Sequence, residues 1–393
     1  HFWDLESIGI FPETGKVSLE NDTVLQQFEA TVNFSNGRYQ VSLPWKTSCD
    51  MLLNNENIAR RRLINLTHKL ERDPSLKDSY HSVISDMVND GIIEEVPEHS
   101  KYMSAAGLVY YMPHRPVVRE SSTTTKVRPV FDASAPGYNG VSLNDCLEIG
   151  PSLLPSLVDI LLRSRRWPVA LTADITKAFL QVGVQKQDRD VHRFLWNDSG
   201  NIRTMRFLRV PFGNCSSPFL LNATIRHHLS KYKESPAVHQ LRSNLYVDDW
   251  LTGADSEEEA CDLFQEAYSI MLEASMQLAK CSTNNEKVSL LFKEIDSKYS
   301  DVPNTKVLGL QWSTETDSFG YTGLDIPLDL IVTKRVILSF LARMYDPLGF
   351  LSPITNSAKM LLQDVWLLGL EWDQTVPERI SKAFCKWLAG LNV

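Results

Sequence analysis

The sequence predicts an α+β protein in which short strands carry acidic residues and amphipathic helices cover them. An apolar strand over residues 168–173 ends on Asp174, and two further short strands flank Asp248 and Asp249. Helical periodicity runs through residues 55–72 and 256–279. Short apolar runs bounded by turn residues indicate strands, and a 3.6-residue apolar repeat indicates helices, so both element types are expected.

Asp248 and Asp249 lie side by side where a tight turn between two apolar strands is expected. Adjacent carboxylates in an apolar hairpin repel each other and lose solvation together, which is costly unless a cation binds them. An ordinary acidic turn explains these two residues equally well on their own. Asp174 changes the balance, because two divalent ions held about 3.5–4 Å apart need a further carboxylate from a neighbouring strand.

Two motifs stand between these carboxylates. Phe179 follows Asp174 by five residues and is either a core aromatic or the wall of a nucleotide pocket that excludes a 2′-hydroxyl. The run Pro211, Phe212 and Gly213 ends a strand over residues 204–210, and a helix capped by Ser216 or Ser217 follows. Backbone amides at such a junction can face a base or a phosphate.

Composition narrows the function classes. The 393 residues, 43% of them hydrophobic, suffice for a large core and two or three subdomains. The net charge of −8 argues against a nucleic-acid partner, but distribution matters more than the sum. The acid is concentrated at residues 255–262, which is typical of a solvated helix start. Two basic clusters remain: Arg60, Arg61, Arg62, Lys69 and Arg72, and Lys101, Arg115, Arg119, Lys126 and Arg128.

Cellular context follows from what the sequence lacks. Six cysteines without Cys-x-x-Cys spacing predict reduced thiols and no zinc knuckle. No apolar run approaches the roughly 18–20 residues of a membrane span, and no leader opens the chain, so we expect a cytoplasmic protein without a membrane partner. The first residue is His1, which predicts that the chain is a piece of a longer protein.

In the order Asp174, 211–213 and 246–249, the motifs match the A, B and C motifs of a reverse-transcriptase palm. The sequence resembles the Pol polyprotein of BEL/Pao long-terminal-repeat retrotransposons over nearly its whole length. Besides the palm motifs, the blocks that carry the resemblance are residues 1–10, 37–39, 43–46, 111–114, 127–134, 142–145 and 345–353.

The resemblance implies a right-hand polymerase with fingers, palm and a partial thumb or connection, whose antiparallel palm sheet is backed by helices. It divides the chain into a linker from the upstream polyprotein (1–50), fingers (51–168), a palm with a fingers insertion and a primer-grip hairpin (169–315), and a helical thumb or connection (316–393). The last segment bears the family label of a Pao retrotransposon peptidase, yet it contains no Asp-Thr/Ser-Gly motif.

The implied activity is RNA- and DNA-directed DNA polymerisation, by two-metal nucleotidyl transfer to a primer 3′-hydroxyl. The implied cofactor is Mg²⁺ as two ions, with Mn²⁺ as the alternative. The implied partners are an RNA or DNA template-primer, deoxynucleoside triphosphates, and the protease, ribonuclease H and integrase parts of the polyprotein. An active element would place the chain in a cytoplasmic virus-like particle.

The resemblance also assigns roles to residues. The implied catalytic residues are Asp174, Asp248, Asp249 and Lys280, and the metal ligands are the three aspartates with the Ile175 carbonyl. The implied nucleotide contacts are Lys126, Arg128, Phe179, Phe212 and Gly213, with Arg119 as an alternative to Lys126. The implied primer and template contacts are Tyr246, Val247, Gly309, Leu310, Gln311 and Trp312. Lys280 is either a proton donor to pyrophosphate or simply a lysine at a helix end.

Two alternatives stay open. A catalytically silent remnant would keep the fold as a nucleic-acid or partner-binding module. An aspartic protease is suggested by Asp198, Ser199 and Gly200, although residues 197–201 are also a ready turn between two strands. Two departures from better-known reverse transcriptases are Phe212, where many carry Gln, and Lys177, where some carry Asp.

The sequence also predicts further strands and helices. Strands are expected over residues 28–34, 39–43, 107–112, 117–119, 125–131 and 194–201, the last as a hairpin. Helices are expected over residues 76–91, 153–167, 330–344, 357–369 and 378–391.

Overall fold

The structure is a computed structural model that describes residues 22–47, 51–97, 107–119, 126–198, 200–296, 299, 303–321, 327 and 330–392. Its helices are α1 Thr23–Thr31, α2 Glu56–Glu71, α3 Pro74–Asn89, α4 Leu157–Ser164, α5 Ser217–Leu229, α6 Pro236–Asn244, α7 Glu257–Glu273, α8 Glu286–Ile295, α9 Lys334–Arg343, α10 Ser352–Leu367 and α11 Glu378–Ala389. The first resembling block, residues 1–10, and the segment 120–125 between two expected strands lie outside the described residues.

Its strands are β1 Asn33–Ser35, β2 Arg38–Val41, β3 Ile93–Glu95, β4 His114–Val118, β5 Val127–Phe131, β6 Val169–Ile175, β7 Gly183–Val184, β8 Arg193–Asp198, β9 Asn201–Phe207, β10 Leu245–Tyr246, β11 Asp249–Ala254, β12 Leu278–Thr283, β13 Asn304–Val307, β14 Leu310–Ser313 and β15 Ser318–Gly320. The predicted α+β class is confirmed.

The chain forms two compact units, each built from several chain segments. The first contains residues 1–154, 175–238 and 267–278, and the second contains residues 155–174, 239–266 and 279–393. The division into linker, fingers, palm and thumb stays a prediction.

The first unit holds three small sheets, ordered β1-β2-β7, β3-β9-β8 and β4-β5. Helix α2 packs on β8, and α3 packs on β5. The buried residues of α2 are Ala59, Leu63, Leu66 and Leu70, a spacing that puts one apolar stripe on the sheet and leaves the basic residues outside. Asp73 begins α3 by accepting a hydrogen bond from the Leu76 amide.

The second unit is centred on a four-stranded sheet of order β10-β11-β6-β12. Strands β10 and β6 both pair antiparallel with β11, so the predicted antiparallel palm sheet is confirmed for these three strands. Residues 169–173 of β6 are all buried, which explains their continuous apolar run. On β11, Trp250 stacks with Phe264 of α7 at a ring separation of 6.4 Å.

Three helices end the second unit. Helices α9, α10 and α11 enclose a core that includes Ile337, Val365 and Phe384, each with no exposed surface. The predicted break between α9 and α10 is confirmed: Asp346 accepts a hydrogen bond from the Leu351 amide, 2.7 Å away, just before α10 begins. Among the described residues, no helix is both long and apolar enough to span a membrane.

Some expected elements are wrong. A helix, α1, covers most of the strand expected over 28–34, because Asp22 caps it, and β1 and β2 then form a hairpin. Residues 107–112 form only one bridge, between Tyr111 and Arg193. The helix expected over 256–279 ends at Glu273, since Ser275 has a left-handed φ of 59°, and β12 follows.

Candidate active site

A two-residue turn of Val247 and Asp248 joins β10 to β11, with Tyr246 paired to Asp249. Val247 has a φ of 59°, which is unusual for a β-branched residue. Two-residue hairpin turns need positive φ at the first central position to match the twist of their strands. The turn therefore holds Asp248 at the tip of the hairpin and Asp249 on its return strand.

Asp174 lies directly opposite Asp249 on the neighbouring strand β6. Residues opposite each other in an antiparallel pair have Cβ atoms about 4.5–5.5 Å apart, and like charges there are destabilising. The register thus brings three carboxylates together from two strands and a turn. Asp248 and Asp249 are half-buried, and the side chain of Asp174 is 23% exposed.

This arrangement makes the carboxylates hard to ionise together. Burial, followed by the charges of Asp248 and Asp174, raises the pKa of Asp249 to about 6. Burial and the charge of Asp174 also raise the pKa of Asp248. The positive charge of Lys280 partly opposes this effect, because it lowers the pKa of both carboxyl groups. The site therefore has an excess of negative charge that a cation would stabilise.

Lys280 lies on β12 and donates a hydrogen bond from Nζ to Asp174 Oδ2 at 2.9 Å. The explanation of Lys280 as a lysine at a helix end is wrong, because α7 has already ended at Glu273. Like Val247, Lys280 has a left-handed φ, here 50°.

The donor set fits divalent metal ions of the hard class. Carboxylate oxygens are the ligands that Mg²⁺ and Mn²⁺ prefer. Asp174, Asp248 and Asp249 supply them, and mutual repulsion is the cost that an ion would remove. Within the described residues, no three His, Cys, Asp or Glu side chains are already grouped closely enough to hold an ion. Asp174 is paired with Lys280 instead.

Polar contacts fix the base of the hairpin. Arg163 on α4 donates hydrogen bonds to the Asn244 side chain at 2.8 Å and to the Ser243 carbonyl at 2.6 Å. On β11, Thr252 donates to Gln240 at 2.9 Å. A Cβ on Gly253 would stand 2.4 Å from the Val169 carbonyl oxygen, so only glycine permits the close approach of β11 and β6. These contacts were not predicted.

The hairpin predicted around Gly309 is observed as β13 and β14 with Gly309 in its turn, and its role as a primer grip stays a prediction. Leu310 and Trp312 are buried in a hydrophobic cluster against which Tyr246 also packs. Gln311 is half-buried, and Gly309 is exposed. The structure thus brings Tyr246 and this hairpin together, with Leu310 and Trp312 as core residues beneath it.

The predicted nucleotide-pocket residues lie in the first unit. Phe179 and Phe212 meet edge to face at a ring separation of 4.9 Å. Gly213 has a φ of 113°, and a Cβ there would stand 2.5 Å from the Phe131 carbonyl oxygen. The backbone at Gly213 therefore requires glycine.

Sequence reasoning gave no role to Asn144, which fastens this loop. Its amide nitrogen donates to the Gly213 carbonyl at 3.0 Å, and its oxygen accepts from the Cys215 amide at 2.9 Å. The only sequence signal is that Asn144 belongs to one of the resembling blocks. Its two bonds reach across 69 and 71 residues.

The two predicted phosphate-binding cations are exposed: Arg128 lies on β5, and Lys126 directly precedes it. Strand β5 pairs with β4, and the Arg119 amide donates a hydrogen bond to the Lys126 carbonyl where the pair ends. Neither side chain has an ion-pair partner among the described residues. Arg119 is equally exposed, so the choice between Arg119 and Lys126 stays open.

The turn suggested as a protease loop belongs to an ordinary hairpin. Asp198 pairs with Asn201 between β8 and β9, and the Asn197 side chain accepts a hydrogen bond from the Gly200 amide at 2.9 Å. Ser199 lies outside the described residues. The hairpin prediction for residues 194–201 is confirmed.

The antiparallel sheet presents the strand-end carboxylate of Asp174 opposite a two-aspartate hairpin, the arrangement that the resemblance to a polymerase palm predicts. The family model described as "Reverse transcriptase (RNA-dependent DNA polymerase)" matches residues 121–326, which is more than half of the chain. The chain therefore belongs to the reverse transcriptase family. A second model, described as "Pao retrotransposon-like RNaseH-like domain", matches residues 333–392. Both matches confirm the resemblance to BEL/Pao elements.

Solved structures share the fold. The foamy viral protease-reverse transcriptase in complex with double-stranded DNA is 17% identical, with a TM-score of 0.53, over 80% of this chain and 57% of that one. Its complex with an RNA/DNA hybrid is 18% identical, with a TM-score of 0.51, over 80% of this chain and 37% of that one. A dRH form bound to double-stranded DNA gives 16% identity and a TM-score of 0.54, over 80% of this chain and 48% of that one.

The chain thus spans about half the length of the solved proteins it matches. Curated proteins give no sequence match. The segment predicted as thumb or connection is the one matched by the RNaseH-like model, and its described residues between 334 and 392 form α9, α10, α11 and a final short 3₁₀ turn.

Proposed function

We propose that this chain is the polymerase part of a BEL/Pao-type retroelement and extends a DNA primer on an RNA or DNA template. The observation that carries the proposal is the register that sets Asp174 opposite Asp249 with Asp248 at the adjoining turn. Three carboxylates on rigid strands suit the positioning and charge neutralisation on which phosphoryl transfer depends.

The aspartates hold the proposed metal site. Asp174, Asp248 and Asp249 would bind two Mg²⁺ ions, with the Ile175 carbonyl as a further ligand and Mn²⁺ as a substitute. When bound, such ions polarise the phosphoryl oxygens and stabilise both the attacking and the leaving oxygen. The protein's own contribution is a sheet that fixes the carboxylates before substrate arrives.

Other residues act on the substrates. Arg128, with Lys126 or Arg119, neutralises the triphosphate of a deoxynucleotide. Phe179 and Phe212 meet edge to face and form an aromatic wall for the nucleotide sugar. Lys280 donates a proton to the leaving pyrophosphate.

Tyr246 and the hairpin around Gly309 position the primer end, with Val247 shaping the turn. Leu310 and Trp312 act from the core beneath. Gln311 is the half-buried member of this set and contacts the primer. Further partners in this proposal are the protease, ribonuclease H and integrase parts of the polyprotein, within a cytoplasmic virus-like particle.

The test is primer extension on an RNA template with deoxynucleotides and Mg²⁺. The unmodified chain is compared with an Asp248→Asn/Asp249→Asn double variant and with Asp255→Asn, a control on the exposed loop before α7. We expect extension by the unmodified chain and the control and none by the double variant. No extension by a folded, template-binding chain would favour the silent-remnant alternative.

A further inference from the structure

Lys280 occupies an unusual backbone position for a strand residue. Its φ is 50°, within β12. The left-handed region is unfavourable for an L-residue, because Cβ comes too close to the following carbonyl oxygen. Such strain persists where the surrounding structure imposes it, and it collects at functional sites. Here it accompanies a side chain aimed at Asp174, with Nζ 2.9 Å from Oδ2.

The ammonium group of Lys280 is therefore already among the proposed metal ligands. Its charge acts on Asp248 and Asp249 as well as on Asp174, its direct partner. One positive charge faces three carboxyl groups, so the cluster is only partly neutralised by the protein itself.

The pair is weak enough to be displaced. The Lys280 side chain is 62% exposed and that of Asp174 is 23% exposed. Ion pairs of this kind contribute little to stability, because water screens them and the lysine loses side-chain freedom. A divalent ion carries twice the charge and binds several carboxylates at once, so it outcompetes the ammonium.

We propose that Lys280 is a resident counter-ion of the carboxylate cluster, which holds Asp174 Oδ2 in the metal-free protein and leaves when a divalent ion binds. This inference rests on the proposed function, because the competing ion is the polymerase metal. Metal binding then releases a protonated lysine at the moment when a nucleotide's phosphates need a cation.

Coupling between metal and nucleotide follows. A triphosphate that draws Lys280 away from Asp174 removes the competitor of the metal, so each ligand strengthens binding of the other by the same factor. Without nucleotide, metal binding is weakened by the energy of the Lys280 pair.

The first experiment measures Mn²⁺ affinity of the full chain without nucleotide, by calorimetry and by the paramagnetic resonance of free Mn²⁺. Lys280→Met is expected to bind Mn²⁺ about three- to tenfold more tightly, since it lacks the competitor. Lys280→Arg keeps the charge and is expected to bind like the unmodified chain. Lys287→Met removes a lysine that pairs with Glu258 at 2.7 Å on the surface and is expected to change nothing.

Equal or weaker Mn²⁺ binding by Lys280→Met would overturn the counter-ion role. The Asp248→Asn/Asp249→Asn variant separates this failure from that of the proposed function. If the double variant binds Mn²⁺ as well as the unmodified chain does, the metal site itself is wrong. If binding needs the aspartates but Lys280→Met gains nothing, only the counter-ion role is wrong.

A second experiment needs no variant. In the unmodified chain, labelling of Lys280 by an amine-reactive reagent, quantified by mass spectrometry relative to Lys287, is expected to rise when Mn²⁺ is added. If the ratio of Lys280 labelling to Lys287 labelling does not change when Mn²⁺ is added, the ammonium has not left Asp174. That result would contradict the proposal.

Discussion

In the first unit, Asp190 accepts hydrogen bonds from Arg193 and Arg206, and Arg206 also pairs with Glu94. In the second unit, three aspartates share one lysine, Lys280. The first cluster is buried and balanced, with Arg193 fully buried. The second is half-exposed and has an excess of acid. In a balanced buried cluster the loss of one charge destabilises the fold, whereas an acid-rich cluster costs stability as it stands and is suited to binding a cation.

The strongest test of this contrast is Asp249→Asn. Primer extension is expected to fall on the order of a thousandfold, because one of the charges that would hold the metal is lost. The free energy of unfolding in metal-free buffer is expected to stay equal or to rise, since a repulsive charge is removed. Extension rates and urea titrations measure the two effects. A large loss of stability would show that Asp249 serves the fold as well.

Asp190→Asn, in the buried cluster of the first unit, is expected to lower the stability of the fold. Asp190→Asn removes the carboxylate charge that both Arg193 and Arg206 contact in this cluster, and the change is expected to cost roughly 3–4 kcal/mol of unfolding free energy. Urea denaturation followed by circular dichroism measures this loss. Glu94→Gln is the matched control, because the Glu94 side chain is 37% exposed and its loss should cost much less. Equal costs for both variants would contradict the distinction.

Two buried histidines make the first unit sensitive to acid: burial lowers the pKa of His192 to about 3, and His114 is the second. Burial lowers the pKa of His114 to about 4, and its Nε2 donates to the Leu195 carbonyl at 2.9 Å. The unfolded chain binds a proton near pH 6.5, before the folded chain does, so this contribution is complete above pH 6.5 and is lost as the pH falls towards 4. The loss amounts to about 3 kcal/mol. Unfolding titrations at pH 7 and 4.5 measure it, and the loss should shrink in His114→Gln.

The smallest expected effect concerns the loop fastened by Asn144. In Asn144→Ala, two hydrogen bonds to the loop are lost, each worth about 1 kcal/mol. We expect the KM for deoxynucleotides to rise several-fold with a smaller change in kcat, because the wall at Phe212 and Gly213 is less well held. Steady-state extension measures both constants. Asn139→Ala, which loses an exposed hydrogen bond to the Met51 carbonyl, should leave them unchanged.

The carboxylate cluster was predictable from sequence because its members stand at strand ends and turns, where local patterns are strong. The course of β12 was not predictable, since helical periodicity continues past Glu273 and only the conformation of Ser275 ends it. Helix α6 was missed because its mixed polar composition carries no clear repeat. The roles of Asn144 and Arg163 depend on partners about 70 to 80 residues away, which no local pattern reveals.

The turn around Gly309, between β13 and β14, has no room for a side chain. A Cβ at Gly309 would stand 2.7 Å from the ring of Tyr345, in the break before α10. Gly309 also has a φ of 90°, so any side chain there is strained by both the backbone and the neighbouring ring. We therefore expect even the small substitution Gly309→Ala to give a temperature-sensitive variant, which unfolds at a lower temperature than the unmodified chain because strain lowers its stability.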